Sequence, residues 1–347
     1  MATILPGRTR GLSALLLALA LTAIGVRTHL QSDVSRPLET TAGPSTIVYI
    51  KPRTGVQEIA QILRDARVIQ SRWTFLALAY IQGSLTRLHA GEYEFTRGMP
   101  LREILQKLEA GRVITYQVTI PEGFTAQDIA RLLASERLVD FDRFMALVND
   151  AQFVESLGLS GRMLEGYLFP DTYRLTRGMK EEEIIRIMVT RFRQATPKDM
   201  EAQAKRLDLD VHAVVTLASL IEKEAKLDSE RPLVAAVFHN RLRRNMPLQS
   251  DPTAVYGSPG PRRKITPLDL RRKTPYNTYL IAGLPPGPIT NPGLASLMAA
   301  LNPAPVKFLY FVSKNDGSHL FSRTFSQHAE AVRRYQGRGE SGPPGGS

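Results

Sequence analysis

The chain has 347 residues, 43% of them hydrophobic, enough for two domains with cores of their own. Forty-five Lys and Arg against 33 Asp and Glu give a net charge of +12 and a pI near 10. That balance favours an anionic partner: nucleic acid, a membrane surface or an acidic polymer such as a cell wall. No helix-turn-helix, finger or RNP signature accompanies the charge, which weighs against nucleic acid. The absence of cysteine excludes disulfides, zinc–thiolate sites and a lipobox anchor. The first predicted element is the uncharged run GLSALLLALALTAIGV at 11–26, between Arg10 and Arg27. It falls just under the usual spanning length of about 17–25 residues, and reaches Leu30 if Arg27 snorkels. The expectation is a single-pass anchor over 11–30, with Arg8 and Arg10 holding a tail of residues 1–10 in the cytoplasm. A cleaved signal peptide is the rival, through the spacing Ala18-Leu19-Ala20. Polar residues 31–45 read as a linker.

A degenerate repeat follows. Lys51-Pro52-Arg53-Thr54-Gly55 leads into Gln57–Leu63, Arg97-Gly98-Met99-Pro100 into Arg102–Leu108, and Ile120-Pro121-Glu122-Gly123 into Gln127–Leu133. Each unit predicts a strand (Ile47–Ile50, Gly91–Phe95, Thr115–Ile120), a turn, and a helix with Ile and Leu at i, i+3 and i+4. Thr54, Pro100 and Thr125 stand at the predicted helix starts. Residues 46–150 are therefore expected to form small α+β modules. The first resembles a LysM-type glycan-binding domain in its strand, Lys/Pro/Gly turn and helix opening. Trp73, Phe75 and Tyr80 are read as core rather than sugar-stacking faces. Residues 161–175, GRMLEGYLFPDTYRL, read as extended. Charged stretches at 180–195 and 199–206 read as helices, and residues 211–226 as the most apolar helix after the anchor, beside another at 232–242. The Gly/Pro-rich tail, 336–347, is expected to be disordered.

Polar residues with special-geometry neighbours concentrate in the last third. On the helix from Val211, Val214, Ala218, Ile221 and Ala225 define a buried stripe that Glu222 and Glu224 flank on opposite sides, since two residues turn a helix by about 200°. Either carboxyl, partly desolvated, could serve as a general acid, and periodicity does not choose between them. Gln249, Asp251, Asn277 and Asn291 supply planar donors and acceptors suited to sugar hydroxyl and N-acetyl groups. Asn240 belongs to the same candidate set. Tyr256, Tyr276 and Tyr279 could stack on pyranose faces or orient the acid. Gly283–Pro288 makes a rigid loop, and His319 is a candidate lining residue. No HExxH, GxSxG or Walker motif occurs, so metal, α/β-hydrolase and P-loop chemistry are not expected, nor is a cofactor.

Several long motifs then point one way: EGYLFPDTY, IEKEA, VFHNRL, MPLQSDPTAVYG, PYNTY, GLPPGPITNPG and YFVSKNDGSHLFS. Together, and in this order over residues 46–335, they resemble the endolytic murein transglycosylase family (YceG-like, MltG). The resemblance implies an α+β protein of the inner membrane: a transmembrane helix, LysM-like modules, and a mixed α/β catalytic domain over 151–335, facing the periplasm, with a helix-borne glutamate. It implies cleavage of nascent peptidoglycan strands between N-acetylmuramic acid and N-acetylglucosamine, with peptidoglycan synthases as possible partners. The family's catalytic acid falls on Glu224. In the mechanism expected here, Glu224 protonates the glycosidic oxygen and then accepts the proton of the muramyl C6 hydroxyl. A 1,6-anhydro ring closes, with Asn277 and Gln249 as candidate stabilisers. The rivals are a two-carboxylate muramidase, pairing Glu224 with Asp251 or Glu165, and a non-catalytic glycan-binding scaffold.

Overall fold

The computed structural model describes residues 43–258 and 265–336. The expected cytoplasmic tail, anchor and most of the linker lie outside the described residues, as does the C-terminal tail beyond Gln336. Among the described residues, no helix is long and apolar enough to cross a membrane. The chain divides into two compact units at Tyr116/Gln117, with Thr176–Gly178 belonging to the first. The sequence had placed this division near residue 150.

The first unit is built on an antiparallel pair, β1 (Gly43–Ile50) and β2 (Gly91–Arg97), in which Val48 faces Tyr93 and Ile50 faces Gly91. Successive strand residues point to opposite faces. Val48 and Ile50 accordingly enter the core while Ile47 stays exposed. Between the strands run α1 (Val56–Asp65) and α2 (Arg72–Ile81), and α3 (Leu101–Glu109) follows β2. Ile59 and Leu63 of α1, Phe75 and Leu78 of α2, and Ile104, Leu105 and Leu108 of α3 close one core with Tyr93 and Phe95. A Cβ on Gly91, at φ +140°, would meet Val113 Cγ1 at 2.4 Å, so only glycine fits where β2 starts. The aromatic run divides. Phe75 is buried as expected, but Trp73 and Tyr80 are 67% and 75% exposed and are not core residues.

In the second unit the third repeat supplies β3 (Tyr116–Thr119), which pairs with β4 (Thr172–Leu175). Its helix, α4 (Ala126–Ser135), starts at Thr125 with a capping box closed by Asp128. There follow α5 (Phe141–Val148), α6 (Ala151–Ser156), α7 (Glu181–Ala195) and α8 (Met200–Arg206). Then come α9 (Val211–Glu224), α10 (Arg231–Leu242) and the short helices α11 (Asp251–Val255) and α12 (Pro267–Leu270). Helix α13 (Leu294–Leu301), an antiparallel hairpin of β5 (Tyr310–Ser313) and β6 (His319–Ser322), and α14 (Phe325–Tyr335) complete it. Only Thr172–Leu175 of the 161–175 stretch forms a strand; Tyr167 and Phe169 before it and Tyr173 within it are buried.

Helix α9 is the axis of this unit. It packs on α13, α10, α11 and α8, and every residue from Val214 to Ile221 is buried, so the predicted stripe is in fact a fully covered segment. Two polar residues survive there because their hydroxyls bond to the helix backbone. Thr216 Oγ1 donates to the His212 carbonyl at 2.8 Å and Ser219 Oγ to the Thr216 carbonyl at 2.6 Å. Ser219 Oγ also accepts from the Ile289 N–H at 3.1 Å, pinning the proline loop to the helix.

Candidate active site

Glu224 is the last residue of α9, and Ala225 leaves the helix with extended backbone. That position puts the carboxyl beyond the apolar middle of the helix but still against protein. Its Oε1 accepts a hydrogen bond from Ser250 Oγ at 2.6 Å. Ser250 is buried and closely held. Its N–H donates to Thr278 Oγ1 at 2.9 Å, and its carbonyl accepts from Thr253 Oγ1 at 2.6 Å. Thr253 and Thr278 share a hydroxyl contact of 2.8 Å, and the Gln249 N–H donates to the Thr278 carbonyl at 3.1 Å. Gln249 itself sits at φ +49°, in the left-handed region that non-glycine residues enter at a cost. Two loops, 247–251 and 277–279, are thus stitched together under the Glu224 carboxyl.

Arg241, buried on α10, fixes the first of these loops. Nη1 donates to the carbonyls of Pro247 (3.2 Å) and Leu248 (2.8 Å) and to Gln249 Oε1 (3.3 Å), while Nε donates to the Leu309 carbonyl (2.7 Å). All these acceptors are neutral, so the guanidinium brings net positive charge to the site. Asp251 opens α11 and accepts from the Tyr279 hydroxyl at 2.5 Å. Burial pushes the Glu224 carboxyl up to about 7; the Ser250 bond and the Arg241 charge pull it down, and the Asp251 charge raises it. The helix C-terminus, carrying about half a negative charge, acts in the same direction as burial. The result is an acid able to hold or release a proton near neutrality.

The structure distributes the other candidates unevenly. Gln249, Asp251 and Tyr279 gather around Glu224. Glu222 does not join them: its carboxylate pairs with Arg231 at 3.1 Å and accepts from the Gly293 N–H at 3.0 Å, at the start of α13. Asn277 is fully buried, donating to the carbonyls of Leu270 and Arg272 at 3.0 and 2.8 Å and accepting from the Tyr279 N–H at 3.1 Å. With every group engaged and no exposed surface it braces the loop and has nothing to offer a sugar. Asn291 is corrected on the same ground. It accepts from the N–H groups of Gly166 and Leu168, both at 2.9 Å, and donates to the Phe124 carbonyl and Glu165. Asn240 donates to the carbonyls of Val306 and Phe308, anchoring the chain before β5. His319 is bound through its backbone N–H and Nδ1 to both oxygens of Glu230, at 2.9 and 2.7 Å, which locks β6 to the start of α10.

Tyr256 and Tyr276 form a separate group, their rings 4.6 Å apart. The Tyr256 hydroxyl donates to Glu165 at 3.2 Å. Burial pushes the Glu165 carboxyl up to about 8, against hydrogen bonds from the Ala126 N–H, Tyr256 and Asn291. Sequence reasoning missed Ser250, Thr278 and Arg241. Ser250 lies between Gln249 and Asp251 in MPLQSDPTAVYG, and nothing local in the sequence marks its hydroxyl as the partner of a carboxyl 26 residues away. Among the described residues, no cluster of three His, Asp or Glu could hold a metal ion.

The model of the YceG-like family matches residues 48–334. Over 315 residues the chain is 33% identical to the endolytic murein transglycosylase of Bacillus subtilis, covering 86% of this chain and 87% of that one. It is 29% identical over 338 residues to the endolytic murein transglycosylase of Streptococcus pneumoniae, spanning 87% of this chain and 60% of that longer protein. A crystal structure of a YceG-like protein from Listeria monocytogenes superposes with a TM-score of 0.57 at 32% identity, covering 82% of this chain and 98% of the other. The loop chemistry around Glu224 and the similarity along nearly the whole described chain converge on one assignment: this protein belongs to the YceG-like family.

Proposed function

We propose that this chain is a lytic transglycosylase that cuts murein glycan strands internally, with Glu224 as its single acid–base group. The observation that carries the reading is the Glu224 carboxyl itself, bonded to Ser250 and titrating near neutrality. Protonated Glu224 donates to the glycosidic oxygen, and the bond from that oxygen to muramyl C1 breaks as positive charge builds on C1. The substrate's acetamido group and the nearby polar groups stabilise that charge. Ionised Glu224 then takes the proton of the C6 hydroxyl as O6 bonds to C1. No water is consumed, and the product ends in a 1,6-anhydro ring. An intramolecular nucleophile gives the ring closure a large effective concentration. Arg241 favours the ionised state that exists between the two proton transfers. Glu222, engaged with Arg231, is not available for this work.

Further parts of the reading concern the setting. Residues 11–30, with the apolar run 11–26 at their centre, serve as a single-pass anchor in the inner membrane, with both compact units in the periplasm. The order strand–helix–helix–strand of residues 43–97 supports a LysM-like glycan-binding role for the first unit. Cleavage of nascent strands beside a peptidoglycan synthase would limit strand elongation.

The test is digestion of purified glycan strands by the protein and its Glu224→Gln variant, with product masses read directly. Wild type is expected to release anhydro-ended fragments, and Glu224→Gln to lose at least about a thousandfold in rate, in the upper part of the usual contribution of general acid–base catalysis because one group serves twice. Products heavier by one water, with reducing ends, would establish the two-carboxylate muramidase instead. Strand binding without any product, indifferent to Glu224, would establish the scaffold reading.

A further inference from the structure

Helix α2 turns Phe75, Leu78 and Ala79 into the core of the first unit. Its opposite side holds Trp73, Tyr80 and Ile81, exposed at 67%, 75% and 70%, with Leu85 also exposed just beyond the helix end. Trp73 and Tyr80 stand two helical turns apart and so share a face. This is the largest concentration of exposed apolar side chains among the described residues of the unit. Contiguous patches of this kind mark interaction sites more often than idle surface.

The surroundings identify the partner. The Arg72 guanidinium lies over the Trp73 ring, 4.5 Å from its centroid. At the other end Arg87 donates to the carbonyl of Gln82, the C-cap of α2, at 3.0 Å. Arg87, His89 and Arg112 line one hollow there, whose single carboxylate, Glu109, is paired with Arg87 at 2.9 Å. Residues 43–116 carry ten Lys and Arg (Lys51, Lys107 and eight Arg) against six Asp and Glu. Tryptophan and tyrosine on an apolar helix face, flanked by arginines, match the boundary of a bilayer, where the rings sit at headgroup level and the cations meet anionic lipid. Sixteen residues, 27–42, separate the uncharged run 11–26 from β1, a tether of at most about 60 Å.

We propose that the α2 face of the first unit docks on the surface of an anionic lipid bilayer, with Trp73, Tyr80 and Ile81 in the interface and Arg72, Arg87 and Arg112 against lipid headgroups. This inference draws on the anchoring role given to residues 11–26 and is independent of the catalytic reading. A docked first unit would confine the chain to the layer of murein nearest the membrane, where strands are new.

The chain contains one tryptophan, Trp73, so its fluorescence reports the patch without labelling. Full-length protein is reconstituted into phosphatidylcholine vesicles with and without phosphatidylglycerol. In the anionic vesicles Trp73 emission is expected to shift to the blue, to be quenched by lipids brominated near the headgroup end of the acyl chain, and to lose several-fold in acrylamide quenching. The double variant Arg87→Gln/Arg112→Gln should return all three signals to their values in zwitterionic vesicles, with circular dichroism confirming the fold. Solvent-like emission with full acrylamide access in both vesicles would overturn the proposal. So would protection produced in detergent by glycan strands alone, which would make the face a sugar platform. Protection that disappears at one copy per vesicle would assign the face to self-association and also overturn it.

Discussion

Glu224 and Ser250 form a pair whose contribution can be read from pH. As proton donor, Glu224 must begin protonated, so the rate of bond cleavage falls as pH rises through the folded value of about 7. The Ser250 hydrogen bond favours the carboxylate and therefore lowers that value. Removing it by Ser250→Ala leaves burial less opposed and moves the alkaline limb upward, by about one pH unit if the charged hydrogen bond is worth about 1.5 kcal/mol. At the same time the carboxyl loses its fixed orientation, so the maximal rate drops while the limb moves to higher pH. Profiles of strand cleavage from pH 5 to 9 check both. A limb that stays in place, or moves toward acid, would show that Ser250 does not govern the proton on Glu224. Arg241 acts in the same direction through its charge, but its four bonds to the 247–249 loop and Leu309 make its removal a structural change as well.

At the scale of elements, what the sequence made legible was whatever depends on near neighbours. The strand–turn–helix units, the capped start of α4 at Thr125 and the apolar helix bearing Glu224 all follow from local pattern, and all three are present. Pairing of β3 with β4, across more than fifty residues, and the return of Thr176–Gly178 to the first unit left no local trace. The asparagines were misread for a related reason. Irregular loops have no ladder to satisfy their backbone groups, so side-chain amides do it, and a loop rich in Asn looks the same in sequence whether the amides face sugar or carbonyls. Asn291 shows what that duty is worth. Replacing it by Ala strands the Gly166 and Leu168 N–H groups and removes a donor from buried Glu165. At about 1–3 kcal/mol for each buried group left unpaired, a loss of about 3 kcal/mol or more is expected. Urea unfolding of Asn291→Ala against wild type measures it. A change under 1 kcal/mol would mean that water enters and replaces the amide.

For the whole molecule, two desolvated carboxyls, the buried Glu165 and the half-buried Glu224, make folding sensitive to pH in a direction opposite to the usual acid lability of proteins. Glu165 and Glu224 have folded values of about 8 and about 7, against 4.5 for an unfolded Glu. Between 4.5 and those values the folded chain holds more protons than the unfolded one, so stability declines as pH rises. The benefit is fully present below about 4.5 and is spent once pH passes 8. Asp171 opposes this at the acid end, because its bond to Arg191 holds it below the ordinary value and its contribution fades as pH falls. Stability should therefore peak in mildly acidic solution and fall by a few kcal/mol toward pH 9, with Glu165 supplying the larger part because its shift is larger. Glu165→Gln keeps the shape of the side chain and an acceptor for Ala126 and Asn291, but cannot ionise. Urea melts at pH 5, 7 and 9 should show the variant nearly level between pH 7 and 9, where wild type still declines, and a shallower decline than wild type between pH 5 and 7, where Glu224 still titrates. Were the variant to decline as steeply as wild type, the buried charge at Glu165 would not be the source. The same melts on Glu224→Gln separate the active-site carboxyl's smaller share, which acts between 4.5 and about 7 and adds nothing to the slope above it.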